Sequence, residues 1–224
     1  MVASFAPIYD AACKRKGGPQ EVETLLARPK SPKSLAAIPD DRWLADMTRS
    51  VFQAGFSWKV IERKWDGFEA AFEEFNPTRW AFMSDEDMDG LLRDTRIVRN
   101  AAKIISVRDN AIFLEGLAEK HGSAGAFFAA CPPEDYANLL LLLKKQASRL
   151  GGTSGQYFLR RVGVDGYILF RDVIAALVAA GIVDKAPSSQ KAMAAVQNAF
   201  NIWMTETGRS LTELSRILAL STDG

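Results

Sequence analysis

Histidine and cysteine are nearly missing from this chain. Its 224 residues hold one histidine, His121, and two cysteines, Cys13 and Cys131. Two cysteines make no disulfide framework, and three scattered residues fall short of the four suitably spaced ligands of a zinc site. No metal and no other cofactor is expected. An excess of one charge is also lacking: 28 Lys and Arg against 27 Asp and Glu leave +1. That balance argues against a protein that holds nucleic acid mainly by bulk charge. It leaves room for a compact protein that grips a few phosphates through backbone amides. The longest apolar run is residues 173–180, far short of the roughly 20 residues that cross a bilayer. The opening Met-Val-Ala-Ser-Phe-Ala-Pro has neither the basic region nor the apolar stretch of a secretory signal. The expectation is a soluble protein of the reducing cytoplasm, with no membrane contact and no protein partner implied.

Sustained apolar–polar alternation is missing too, and nothing repeats at a fixed period. Sheet and solenoid architectures are thereby set aside. The expected fold class is all-α, with eight to ten helices. Residues 1–38 differ in texture from the rest. Lys14-Arg15-Lys16-Gly17-Gly18-Pro19 and Arg28-Pro29-Lys30-Ser31-Pro32-Lys33 read as a loop-rich arm with at most short helices near 8–13 and 20–27. The arm is either simply solvated or a phosphate contact. Residues 39–224 read as one helical domain of two lobes, with a hairpin near 159–167.

Within that domain, Asp40 or Asp41 can cap a helix through Trp43, Leu44, Met47 and Val51. Gly55 interrupts it. Ser57 can cap the next helix, where Trp58, Ile61 and Trp65 are spaced i, i+3, i+7. Gly67 is expected to break the chain again. Phe68, Ala71, Phe72 and Phe75 then share one face, which ends at Asn76-Pro77. A long helix over 97–118 follows, then helices near 154–161 and 166–181 on either side of a short turn. Ser188 or Ser189 can start a helix through Met193, Val196, Phe200 and Trp203, while Ser84 and Ser210 open capping boxes.

The densest signal is Phe52-Gln53-Ala54-Gly55-Phe56-Ser57-Trp58, with Phe72-Glu73-Glu74-Phe75-Asn76-Pro77 a helix later. Taken singly, Phe52, Phe56 and Trp58 are the aromatics of any helical core. As a set they resemble the signature of the DNA-3-methyladenine glycosylase I family, Gln-Ala-Gly-apolar-Ser-Trp, then a helix, then Phe-x-x-Phe-(Asp/Asn)-Pro. The resemblance covers roughly residues 40–185. In the family the tryptophan stacks on a base flipped out of DNA, and Trp58 holds that position. An aromatic face suits the task because stacking does not depend on the base's edge. Gln53, five residues earlier, could read that edge. The family's glutamate, eight residues before the tryptophan, is Ser50 here. A serine can hydrogen-bond but brings no charge.

Leu159-Arg160-Arg161-Val162-Gly163-Val164-Asp165-Gly166-Tyr167 has the layout of a helix-hairpin-helix element, usually Leu-Pro-Gly-Val-Gly. Such a turn presents backbone N–H groups to a DNA phosphate. Arg161, Val162, Gly163, Val164 and Gly166 are the candidate DNA contacts, although a plain helical corner would look the same. In the wider superfamily a catalytic aspartate follows about twenty residues after the hairpin glycine. Asp184 stands there, either to stabilise a sugar cation or as an ordinary helix-terminal acid. Bifunctional members carry a Schiff-base lysine two residues after the glycine, where this chain has Asp165. The Cys/His zinc clasp of the family's type members has no counterpart, and helices near 188–206 and 210–220 would replace it by hydrophobic packing. The resemblance thus implies a monofunctional DNA repair N-glycosylase that acts on damaged double-stranded DNA, with 3-methyladenine as the implied base. A glycosylase of shifted lesion specificity and a non-catalytic binder of DNA or modified bases are the alternatives.

Overall fold

A computed structural model describes residues 2–222. Among them all regular structure is helical, as the sequence pattern predicts. The α-helices are α1 (Ala6–Lys16), α2 (Pro19–Thr24), α3 (Pro32–Ala36), α4 (Asp40–Gln53), α5 (Trp58–Arg63), α6 (Trp65–Ala71), α7 (Pro77–Trp80) and α8 (Asp85–Arg93). They continue as α9 (Ala101–His121), α10 (Ala124–Ala130), α11 (Tyr136–Gln146), α12 (Thr153–Val162), α13 (Arg171–Ala179), α14 (Gln190–Thr207) and α15 (Leu211–Ser221). They exceed the expected eight to ten because residues 58–80 form three short helices and residues 6–36 three more.

The chain divides into two compact units, Ser31–Cys131 with Leu140–Val162, and Met1–Lys30 with Pro132–Leu139 and Gly163–Gly224. The division is interleaved along the chain.

In the unit built on Ser31–Cys131, α4 packs against α9 and α12. Trp43, Leu44, Met47 and Val51 are buried as their spacing predicts. Trp43 stacks on Phe128 of α10, centroids 4.4 Å apart, and meets the edge of Phe158 of α12 at 5.9 Å. Neither Asp40 nor Asp41 is the N-cap of α4: Pro39 holds that position. Asp40 Oδ1 instead accepts from Ala124 N at 3.0 Å, at the start of α10. A second aromatic cluster runs through Trp65, Phe68, Phe72, Phe75 and Trp80.

Two details of that cluster differ from the sequence expectation. Gly67 does not break the helix; it lies inside α6, where a Cβ would stand 2.7 Å from Arg96 O. Close approach, not a turn, requires glycine there. The turn that does reverse the chain is at Glu73, Glu74 and Phe75, with φ of 47°, 59° and 63°. Three successive non-glycine residues in the left-handed region cost about 1–2 kcal/mol each. Burial of Phe75 and a bond from Arg42 Nη2 to Glu74 O at 2.6 Å offset that cost.

In the other unit α1 and α13 pack on α15. Tyr136, Tyr167, Phe200, Trp203 and Phe5 form an aromatic chain with centroid steps of 4.8, 4.6, 5.6 and 5.3 Å. Trp203 Nε1 donates to Ala3 O at 2.9 Å. Residues 6–36 carry three short helices, with Phe5, Ala12 and Val22 buried in this unit and Leu35 in the other. Pro7, Pro19 and Pro32, which suggest loop, sit in the first turns of α1, α2 and α3, where a missing N–H costs nothing. Gly17 (φ 95°) caps the end of α1.

Candidate base-recognition site

The last two turns of α4 and all of α5 carry the candidate pocket residues. Asp46, Arg49, Ser50 and Gln53 recur at i, i+3, i+4 and i+7, so they share one face of α4. Gly55 (φ 74°) turns the chain after α4, and α5 begins at Trp58. Ser57 is the N-cap by position, but its side chain makes no capping bond.

Lys103 of α9 fixes this connection. Its Nζ donates to Phe52 O at 3.1 Å and Ala54 O at 2.6 Å, and stands 4.4 Å from the centre of the Phe56 ring. A cation at a helix C-terminus meets the negative end of the helix dipole. Burial, then the charge of Arg149, pull the Lys103 ammonium below the usual lysine range.

Trp58 is the outlier among five tryptophans. Trp43, Trp65, Trp80 and Trp203 are at most 9 % exposed, whereas Trp58 is 48 % exposed. Its ring makes a T-shaped pair with Tyr157 of α12, centroids 5.3 Å apart at 88°. Gln53 is buried and donates from Nε2 to Glu62 Oε1 at 2.8 Å. Its Oε1 accepts from Arg161 Nη2 of α12. Ser50 is buried and its Oγ has no hydrogen-bond partner. A buried hydroxyl without a partner is costly unless water or a ligand reaches it. Burial lowers the Arg161 guanidinium pKa, Asp46 raises it, Arg49 lowers it and Glu62 raises it. The structure therefore places Ser50, Gln53 and Trp58 on two consecutive helices and adds Glu62, Tyr157 and Arg161. Glu62 and Tyr157 escape motif reading, and Arg161 enters it only as a DNA contact, but Glu62 follows Trp58 by one turn, and Tyr157 and Arg161 are one turn apart on α12.

The candidate hairpin differs from expectation. A tight helix-hairpin-helix would start its second helix directly after Gly163 (φ 105°), and the spacing predicts one near 166–181. In the structure α13 starts at Arg171, and 164–170 is irregular. Tertiary bonds hold it so. The Asp165 carboxylate accepts from Leu211 N (3.2 Å) and Thr212 N (2.8 Å), capping α15. Gly166 N donates to Thr212 Oγ1 at 3.3 Å and Ile168 N to Ser215 Oγ at 3.1 Å. Val162 and Val164 are buried, and the Gly166 N–H donates to Thr212 Oγ1. The Arg161 guanidinium is likewise engaged with Gln53. Asp184 lies in the exposed segment after α13, without a hydrogen bond or ion pair among the described residues.

Elsewhere, a cavity of about 230 Å³ is lined by Asp109, Ile112, Phe113, Gly116, Leu117, Lys120 and Gln146, none of them a predicted site residue. Among the described residues no group of three or more His, Cys, Asp or Glu could hold a metal, and no helix is long and apolar enough to cross a membrane.

Part of the chain is similar to known DNA glycosylases. Residues 37–138 match the methyladenine glycosylase family. DNA-3-methyladenine glycosylase 1 of Escherichia coli K12 is 37 % identical over 59 residues, 26 % of this chain and 32 % of that protein. DNA-3-methyladenine glycosylase of Haemophilus influenzae is 32 % identical over 59 residues, with the same coverage. The aligned stretch thus spans about a third of the length of these relatives. Among solved structures, 3-methyladenine DNA glycosylase I of Staphylococcus aureus superposes with a TM-score of 0.52 at 20 % identity, over 70 % of this chain and 92 % of that one. The 8-oxoguanine glycosylase/lyase of Methanocaldococcus jannaschii, solved with a 15mer DNA containing 8-oxoguanine, gives 0.55 at 14 % identity over 96 % of each chain. At such identities these two report the fold. Over residues 37–138 the chain is thus similar to methyladenine glycosylases, and its helical fold is similar to that of the two solved glycosylases.

Proposed function

We propose that the protein is a DNA repair N-glycosylase that takes an alkylated base, 3-methyladenine first, out of damaged double-stranded DNA and hydrolyses its N-glycosidic bond. One observation carries the reading: Trp58, at the motif position that stacks on the base, is 48 % exposed while the other four tryptophans are buried. A flipped base would lie on Trp58, with the buried Gln53 amide at its edge and the Ser50 hydroxyl as a further hydrogen-bonding group. A base made cationic by alkylation is a good leaving group. The C1′–N bond breaks, its electron pair neutralises the base, and water adds to the sugar cation and gives up a proton. Asp184 is the proposed stabiliser of that cation. With the Asp165 carboxylate capping α15 and no lysine there, no Schiff base and no lyase step are assigned. Contact with the DNA backbone is proposed at the Gly163 turn.

The test is release of free 3-methyladenine from methylated duplex by the full chain, compared with Trp58→Ala. Release that the variant loses while its fold persists supports the reading. A folded wild-type protein that releases no methylated purine overturns it in favour of a non-catalytic binder. Release of a different lesion base from an oligonucleotide panel assigns shifted specificity, the reading that the charge-free Ser50 favours.

A further inference from the structure

A flat cation already sits in the candidate base site. The Arg161 guanidinium donates from Nη2 to Gln53 Oε1. Its Nη1 is 3.6 Å from Glu62 Oε1, its Nε 3.9 Å from Asp46 Oδ1, and its centre 6.0 Å from the Trp58 ring. Its side chain is 22 % exposed, so little water competes for these groups.

Those neighbours form a recognition set. Gln53 is oriented by Glu62, which accepts one hydrogen bond from its amide nitrogen (2.8 Å) and leaves the amide oxygen turned to the guanidinium. An amide acceptor, a carboxylate within 4 Å and an aromatic face suit a planar cation that carries N–H donors. The guanidinium fits the set incompletely. Its buried Nε has no hydrogen-bond partner, its two carboxylate neighbours stand beyond good hydrogen-bond length, and Ser50 Oγ is left without a partner. A ring with donors at other angles could satisfy groups that Arg161 does not.

Resting on the glycosylase reading above, we propose that Arg161 is the built-in occupant of a cation-selective base site. Glu62 is the carboxylate that gives the site its preference for positive charge. A cationic base enters by displacing the guanidinium, which then swings to solvent on its flexible stem. Arg161 and Glu62 are thereby specificity-determining residues: one competes with the base, the other attracts it.

Calorimetric titration of the full chain tests this with two flat probes, the 3,9-dimethyladeninium cation and its neutral counterpart 9-methyladenine. Wild-type protein should bind the cation more tightly. Glu62→Gln, at a half-exposed position, should weaken the cation about tenfold and leave the neutral probe within about twofold. Arg161→Met should tighten the cation several-fold. If Arg161→Met fails to fold, as circular dichroism will tell, the Glu62→Gln result decides alone. An unchanged cation preference in Glu62→Gln, weaker cation binding in folded Arg161→Met, or a wild-type site that favours the neutral probe or takes neither overturns the proposal. Base release from methylated DNA, measured alongside, separates the two claims. Release with a cation preference indifferent to Glu62→Gln overturns the site assignment and keeps the enzyme. Cation-selective binding without release does the reverse.

Discussion

Lys103 offers the sharpest test of how the site is held. Lys103→Met keeps the length and packing of the stem and deletes the ammonium. Two carbonyls at the end of α4, Phe52 O and Ala54 O, then lose a charged donor at 3.1 and 2.6 Å. Hydrogen bonds to a charged group are worth about 1.5–3 kcal/mol each, and the charge at the helix end about 0.3–1 kcal/mol more. Relief from burying an ammonium offsets part of this, so the net loss is about 2–3 kcal/mol. For a chain of this size that lowers the melting midpoint by about 4–12 °C. The sign with pH follows from the lowered pKa. Unfolded chain binds the extra proton in the window below the usual lysine value, so this group's contribution to stability rises with pH there. The gap between wild type and variant should widen from pH ~8 to pH ~10. Melts by circular dichroism across that range, with amide exchange read over residues 53–58, measure both effects. A variant within about 0.5 kcal/mol of wild type, with unchanged exchange at 53–58, would refute the anchoring of the Gly55 turn by Lys103.

The two kinds of tryptophan should part company. Trp58→Ala should lower base release about 5- to 150-fold, the worth of one stacked base, and barely move the melt, whereas Trp43→Ala should cost about 3–5 kcal/mol in the same melts. Glu74→Gly should stabilise by about 0.5–1 kcal/mol in urea titration, since glycine removes the left-handed cost but loosens the unfolded chain. Asp87, paired with Arg79 and held at about 2, should contribute stability that is present above pH ~4 and lost as pH falls toward ~2; Asp87→Asn should flatten the melting curve against pH across that interval. Asp165→Ala, which strips two N–H partners from the start of α15, should cost about 1–2 kcal/mol by the same titration.

Much of the fold was legible from period and caps. The aromatic face of Phe68, Phe72 and Phe75, the apolar stripe of α4 and the boxes at Ser84 and Ser210 follow local rules, and the structure keeps them. What local rules missed depends on distant partners. Pro7, Pro19 and Pro32 break helices only if placed inside them, and here they begin them. Gly67 answers to Arg96, far along the chain. Residues 164–170 stay irregular because α15 takes their polar groups. At the site, Trp58 and Gln53 were marked by a contiguous motif. Arg161 reads as a phosphate contact from its own segment, which does not announce the amide and carboxylates across from it on α4 and α5.

The left-handed turn at Glu73–Phe75 bears on the order in which this unit assembles. About 3–6 kcal/mol of backbone cost over three residues cannot be met by the turn's own contacts before α4 exists, because its clamp, Arg42, comes from that helix. The expected order has a nucleus elsewhere, centred on the Trp43 stack, with the Phe-x-x-Phe-Asn-Pro corner locking afterwards. Contacts that form late weigh on how fast a native chain opens far more than on how fast it closes. The signature segment is then a determinant of native lifetime as well as of shape: loosening the Arg42 clamp should shorten the time the protein stays folded while leaving its refolding rate almost untouched.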